Sequence, residues 1–239
     1  MYYSGELLIH HRKKSIRYFS KPVSIIPYKL INGPVIDNDI EYYKFRVKRR
    51  IKGVGLLWNK PSDAFLFISN LNSKIRNQIF SSLKEEGLIT EINIEGLKDI
   101  FYIDSSDLGL LNKINDEMEN RIEFIAPLDN LLWDRKLIKC LFDFDYKWEI
   151  YTKEENRTYG YYTLPILYNT NLIGRIEIIA KRNEKILNVK NIWFEDGFIV
   201  DKGFKDLLEE RLNRFMIFNS CTNLNISKNT LEKLQWLLY

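Results

Sequence analysis

Asp129, Asn130, Trp133, Asp134, Arg135 and Lys136 crowd two carboxylates, an amide, an indole and two cations into one short stretch. Arg135 and Lys136 stand at the head of an apolar helical run, where charge-assisted hydrogen bonds can hold a phosphate. Each residue also has an ordinary structural use. Asp129 can close a turn on a nearby backbone N–H, Trp133 can fill a core, and Asp134 can cap the helix while pairing with Arg135. Residue types alone leave both uses open. Other chemistries are excluded more firmly, because the chain has no glycine-rich phosphate loop, Cys-x-x-Cys, His-Glu-x-x-His or Gly-x-Ser-x-Gly. His10 and His11 are the only histidines, so the body of the chain has no imidazole for acid–base work. As metal ligands they are poor, since adjacent strand residues point to opposite faces. Cys140 and Cys221 have no partner at ligand spacing and read as buried, reduced thiols. No cofactor is expected.

The elements that must position this stretch are strands and one capped helix. An apolar strand at 122–126 meets Pro127 and the Asp129-Asn130 turn, and Asp134 caps a helix over 135–141. Aromatic-rich strands at 146–152 and 159–168 flank the polar tip 153–157 and read as a hairpin. Alternation predicts further strands at 172–181 and 186–195, each with one buried and one wet face, as in a small antiparallel barrel or strongly curved sheet. A helix over 201–218, an edge segment at 223–226 and a closing helix over 229–238 complete this part.

The N-terminal half is more helical. Residues 6–12 and 16–19 read as two strands around the basic tip Lys13-Lys14-Ser15, and Arg12 and Arg17 add to its charge. Such a hairpin can lie along a phosphate backbone or simply be solvated. A Pro- and Gly-marked linker covers 21–37. Asn38 or Asp37 then caps a helix to about residue 52, with Ile40, Tyr43, Val47 and Ile51 as its apolar stripe. A short helix near 64–68 and a third over 73–86, capped by Asn72 and closed by Gly87, precede strands at 88–92 and 99–104. That order is the order of a winged helix-turn-helix, with Lys74, Asn77, Gln78 and Ser81 outward on the recognition helix. Glu85, Glu86, Glu91, Glu95 and Asp99 make one edge acidic and unfavourable to phosphate. A connecting helix over 105–115, capped by Ser105 or Ser106, leads into an acidic turn at Asp116, Glu117 and Glu119.

With 45% hydrophobic residues in 239, the chain can bury a substantial core, and its net charge of +4 permits a nucleic-acid partner. No apolar run is long enough to span a membrane, and the first residues lack a secretory pattern. A soluble cytoplasmic protein is expected.

The runs APLDNLLWDRK, YKWEIYT and GYYTLPILYNTNLIGRIE, in that order, resemble the later part of the AlkZ-like (YcaQ-like) winged-helix DNA glycosylases. Family members show similar runs of the form S-P-F-D-N-L-x-W-D-R and G-Y-Y-x-L-P-x-L followed by G-R. Ala126 and Leu128 stand here where Ser and Phe are usual. The resemblance implies a double-stranded DNA partner and excision of alkylated or crosslinked bases. For that chemistry Asp129 could stabilise the oxocarbenium-like sugar, with Arg135 and Lys136 on flanking phosphates. The family's catalytic Gln-x-Gln or Gln-x-Asp pair lies in an additional N-terminal winged helix. This chain has only Gln78 and Gln235, in neither motif.

The expected architecture is α+β in three parts. Residues 1–36 are a wing hairpin and linker, 37–118 a winged helix-turn-helix, and 119–239 a small antiparallel β-barrel-like domain with C-terminal helices. Opening on a wing, the chain reads as an N-terminally shortened or mis-started frame; alternatively, Leu7 and Ile9 pack on the later domain. The leading expectation is a DNA-binding protein without the base-excising glutamine pair. Its interface would be Arg12, Lys13, Lys14, Arg17, Lys74, Asn77, Gln78, Asp129, Trp133, Arg135 and Lys136, with the hairpin and the Trp133 loop bordering one trough. The alternatives are an active glycosylase completed by a missing N-terminal segment, or by a partner chain that supplies it, and a protein-interaction module. Neither a lesion nor an oligomeric state is legible.

Overall fold

Alternating apolar and basic residues at the start of the chain pair across a tight turn. In the computed structural model, which describes residues 1–2, 5–33, 36, 38–111, 113 and 120–234, β1 (Leu8–Lys13) and β2 (Ile16–Ser20) form an antiparallel two-stranded sheet. Arg12 faces Arg17 and Lys13 faces Ile16. Lys14 takes the left-handed conformation that closes the turn. A bulge between Ile9 and His11 shifts the register. It corrects the expectation that the histidines point apart, because their Nδ1 atoms lie 2.8 Å from each other. The stretch read as a linker carries a 3-10 turn at Pro22–Ser24 and the one-turn helix α1 (Tyr28–Ile31). Met1–Phe45 is one compact unit and Arg46–Tyr239 a second.

Helix α2 (Asp39–Val54) begins where the Asn38 side chain accepts from Ile40 N, 2.7 Å, and ends at Gly55, whose φ is +94°. Asp37, the other candidate cap, lies outside the described residues. Val47 and Ile51 are fully buried, whereas Ile40 is largely exposed, so the buried stripe is shorter than the periodicity predicts. The helix expected near 64–68 is instead a 3-10 turn, Asp63–Phe65, capped by the Ser62 hydroxyl. Helix α3 (Ser73–Glu85) is capped by Asn72, which accepts from Ile75 N, 2.9 Å, and closed by Gly87. The two-residue strand β3 (Leu57–Trp58) joins β4 (Ile89–Asn93) and β5 (Ile100–Asp104) in a sheet ordered β3-β5-β4. Nothing in the local pattern distinguishes β3 from loop. Phe80 meets Phe65 and Tyr102 edge-on, Trp58 stacks on Phe101, and Ile89 and Ile103 of this sheet are buried as well.

After β5, Asp104 caps a 3-10 turn at Ser105–Asp107, in place of Ser105 or Ser106, and α4 (Leu108–Leu111) continues it. The rest of that connection falls outside the described residues, as does the acidic turn. The larger sheet runs β10-β9-β8-β7-β6, comprising β6 (Ile122–Phe124), β7 (Thr163–Tyr168), β8 (Asn171–Lys181), β9 (Ile186–Phe194) and β10 (Asn223–Ile226). Bulges at Ile166/Leu167 and Glu177/Ile178 increase its twist. Its pairings are antiparallel except β9–β10, which is parallel, so the expected antiparallel sheet is in fact mixed.

Helix α5 (Arg135–Phe142) lies between β6 and β7 in the chain. The predicted strand at 146–152 is absent; residues 146–152 are irregular, and the tip that follows is a 3-10 turn at Glu154–Asn156. Helix α6 (Lys202–Phe218), capped by Asp201 at 2.7 Å to Phe204 N, packs Phe204, Leu208 and Leu212 on the sheet with Ile166, Ile176, Leu187, Val189 and Ile192. Helix α7 (Lys228–Leu234) follows, and the end of its predicted span lies outside the described residues. Neither cysteine is in a disulfide; Cys221 is buried, and Cys140 is only half-buried, which corrects its expected burial. The molecule is mixed α+β.

Candidate nucleic-acid interface

The Trp133 loop is built from turn and cap chemistry. Asp129 accepts from Leu131 N, 3.0 Å, to open a 3-10 turn at Asn130–Leu132. Asn130 Nδ2 donates to the Gly53 carbonyl, 2.8 Å, tying the turn to the end of α2. Trp133 Nε1 donates to the Leu128 carbonyl, 3.1 Å, which holds the indole half-buried under its own loop. Asp134, only 2% exposed, caps α5 through Leu137 N, 3.0 Å, and its other oxygen accepts from Trp58 Nε1 at 2.7 Å. Its oxygens are thus directed at Trp58 and Leu137 and not, as expected, at Arg135. Arg135 and Lys136 stand exposed at the start of α5.

Cations gather at this loop from α2 as well. The Arg50 guanidinium lies over the Trp133 ring, 5.1 Å from its centroid, and donates to the Leu66 carbonyl at 3.0 Å. Arg46 donates to the Phe67 carbonyl, also at 3.0 Å. Burial and then the like charges of Arg46 and Arg49 lower the Arg50 pKa. A cavity of about 410 Å³ opens here, lined by Leu66, Phe67, Leu128 and Trp133 among others, with Arg50 and Arg135 as its cations and Asp63 as its acid. Arg135 and Asp63 also line a second cavity of about 500 Å³ that reaches Lys136 and Asp134.

The remaining predicted residues are dispersed. Arg12, Lys13, Lys14 and Arg17 are exposed on the β1–β2 hairpin of the first unit. Lys74, Asn77 and Gln78 are exposed on α3 in the second. Asn77 Oδ1 already accepts from Asn59 Nδ2 at 2.9 Å, and Asn59 Oδ1 accepts from the buried Arg76 at 2.8 Å. Sequence reasoning took Arg50 as one of several α2 cations able to meet phosphate or simply be solvated, left it out of the interface set, and missed Leu66 and Phe67. The unbroken apolar run 64–68 was the available signal, since a short amphipathic helix does not place five consecutive apolar residues on one face.

It also missed Glu149, Arg175 and Glu177. Glu149, 2% exposed, accepts from the backbone N–H groups of Thr158, Tyr159 and Gly160 at 2.9, 2.9 and 3.3 Å. Burial pushes its carboxyl up, but these three donors outweigh it and hold the pKa below the ordinary value. Glu177 accepts from Tyr161 N, 3.2 Å. Arg175 lies between Phe144 and Tyr159, donates to the Asp145 carbonyl at 2.8 Å and pairs with Glu195 at 3.0 Å.

The family model for DNA glycosylase AlkZ-like matches residues 1–218, most of the chain. The chain belongs to the AlkZ-like DNA glycosylase family. Family membership marks a DNA-repair, glycosylase-like protein and makes DNA the substrate class. No solved structure matches the chain. Among the described residues, no helix is long and apolar enough to cross a membrane, and no group of three or more His, Cys, Asp or Glu is placed to hold a metal ion.

Proposed function

We propose that this AlkZ-like chain binds double-stranded DNA and that these 239 residues do not themselves break the base–sugar bond. The observation that carries the reading is the stack of Arg50 on Trp133 beside the exposed Arg135 and Lys136, in a chain of a DNA glycosylase family. Guanidinium and ammonium groups around an aromatic platform suit a phosphate backbone with unstacked bases nearby. Arg12, Lys13, Lys14 and Arg17 supply further phosphate contacts from their own hairpin.

Residues 37–118 are read as a winged helix-turn-helix, supported by α2, the 3-10 turn and α3 followed by the β4–β5 pair. Lys74 and Gln78 would be its exposed contacts, with Asn77 partly committed to Asn59. Residues 119–239 are read as the barrel-like domain, supported by the bulged sheet, and 1–36 as a wing and linker. Asp129 belongs to the turn and acts by positioning Trp133. The absence of Gln-x-Gln and Gln-x-Asp from the sequence supports binding without excision.

The test pairs two assays on one duplex carrying an alkylated base. Fluorescence anisotropy is expected to rise on binding, and alkaline treatment is expected to reveal no abasic site. Excision at any measurable rate would overturn the second half of the proposal, and no anisotropy change at low salt would overturn the first.

A further inference from the structure

The five apolar residues at 64–68 divide into anchors and tips. Ala64, Phe65 and Ile68 are buried, while Leu66 and Phe67 between them are 54% and 85% exposed. Phe67 has φ +65°, the left-handed region, which a bulky aromatic side chain adopts only under constraint. The constraint is visible: Arg50 and Arg46 clamp the carbonyls of Leu66 and Phe67, each at 3.0 Å. Two arginines thus hold a strained backbone in a conformation that presents a large apolar ring to solvent. Strain retained in this way marks a functional segment more often than a packing accident.

The surroundings indicate the occupant. Leu128, 70% exposed, and Trp133 line the same cavity of about 410 Å³ as Phe67, which is in the size range of small-ligand sites, about 300–1,000 Å³. Arg50 and Arg135 outnumber Asp63 in its lining, so an apolar, aromatic slot is rimmed by net positive charge. An apolar face with cations at its edge is complementary to a nucleobase with its phosphates. Apolar side chains that enter a base step and part it are an established way of distorting a duplex.

We infer that Leu66 and Phe67 form a wedge that inserts into the base stack of bound DNA, and that the Phe67–Trp133 cavity receives the unstacked base. The inference rests on the DNA-binding reading above and adds to it a site and a ligand class. Arg46 and Arg50 act as positioning residues through the two carbonyls. No covalent step is involved.

The test uses the full chain and a set of duplexes with 2-aminopurine moved one position at a time. End-label anisotropy reports binding, and 2-aminopurine emission reports unstacking. The chain is expected to brighten one position, or two adjacent ones, as unstacking of a single step requires. Phe67→Ala and Phe67→Asn are expected to bind within about tenfold of the parent affinity, a one-side-chain loss, yet to leave every position dark. Phe67→Leu, which keeps an apolar tip, is expected to retain part of the signal. Asparagine is compatible with the left-handed backbone, so it guards against a folding artefact. Binding without brightening at any position, or equal brightening by Phe67→Ala, would overturn the wedge and leave DNA binding intact. No binding in the anisotropy channel would overturn both, and capture of a protein ligand at the cavity with no DNA signal would do the same.

Discussion

Trp58 Nε1 donates to Asp134 Oδ2 at 2.7 Å in a buried site, and the other oxygen of the same carboxylate caps α5 through Leu137 N. One side chain therefore joins the β3 strand to the helix that carries Arg135 and Lys136. Asp134→Ala orphans a buried indole N–H and removes a cap, each with its own cost. Together they are expected to lower unfolding free energy by about 3 kcal/mol in urea melts. A double-mutant cycle with Trp58→Phe is expected to show a coupling of about 1–2 kcal/mol. Simple additivity would contradict the joint.

Glu149 makes stability depend on acid. Its folded pKa lies below the ordinary carboxylate value of 4.5, so its contribution is present above that value and is lost as pH falls through the folded value. Asp104 has the same sign: burial raises its pKa, but Ser106, Lys48 and Lys52 together lower it further. Glu149→Gln removes the charge that three backbone N–H groups recognise. Urea melts should place it about 2–3 kcal/mol below the parent at pH 7, with the gap closing as pH falls below the ordinary carboxylate range. A gap independent of pH would rule out this account.

Gly174 pairs with Phe194 across β8 and β9, and a Cβ there would stand 2.1 Å from the Trp193 carbonyl oxygen. Backbone, unlike a flexible side chain, cannot yield without parting the strands. Gly174→Ala should cost about 3 kcal/mol or more, which for a chain of this size lowers the melting temperature by roughly 6 °C or more. A neutral effect would mean the strands can separate locally at little cost.

Phe67 offers the opposite experiment. Its left-handed backbone costs about 1–2 kcal/mol, and so exposed a ring recovers little by burial. Phe67→Asn should therefore raise stability, by about 1 kcal/mol in thermal or urea melts. A loss of stability would show that the ring is anchored after all.

Three helix caps were legible: Asn38, Asn72 and Asp134 each close the helix start read from the sequence. Asp201 was read only as the start of its helix, and its side chain caps it as well. Two of the failures, at 146–152 and at β3, come from partners outside the local stretch. Residues 146–152 alternate like a strand, yet Glu149 captures the amides of 158–160, and that side-chain staple takes the place of a strand ladder. Strand β3 has two residues and exists only because β5 lies beside it. At the Trp133 loop the turn and cap roles of Asp129 and Asp134 followed from spacing. The Arg50 stack and the clamped Phe67 did not, because they depend on contacts from α2 to residues 16 or more positions along the chain, and the apolar run 64–68 gave only an indirect sign.

The most direct measurement is equilibrium binding to a short unmodified duplex across a salt series from about 50 mM upward. The affinity is expected to fall linearly on logarithmic axes, with a slope of about −0.9 for each phosphate neutralised. Alanine at Arg135 and Lys136, or at Arg12, Lys13, Lys14 and Arg17, should reduce that slope by about one per lost contact. An affinity that is absent at the lowest salt, or that shows no salt slope, would contradict a DNA-binding role for this chain.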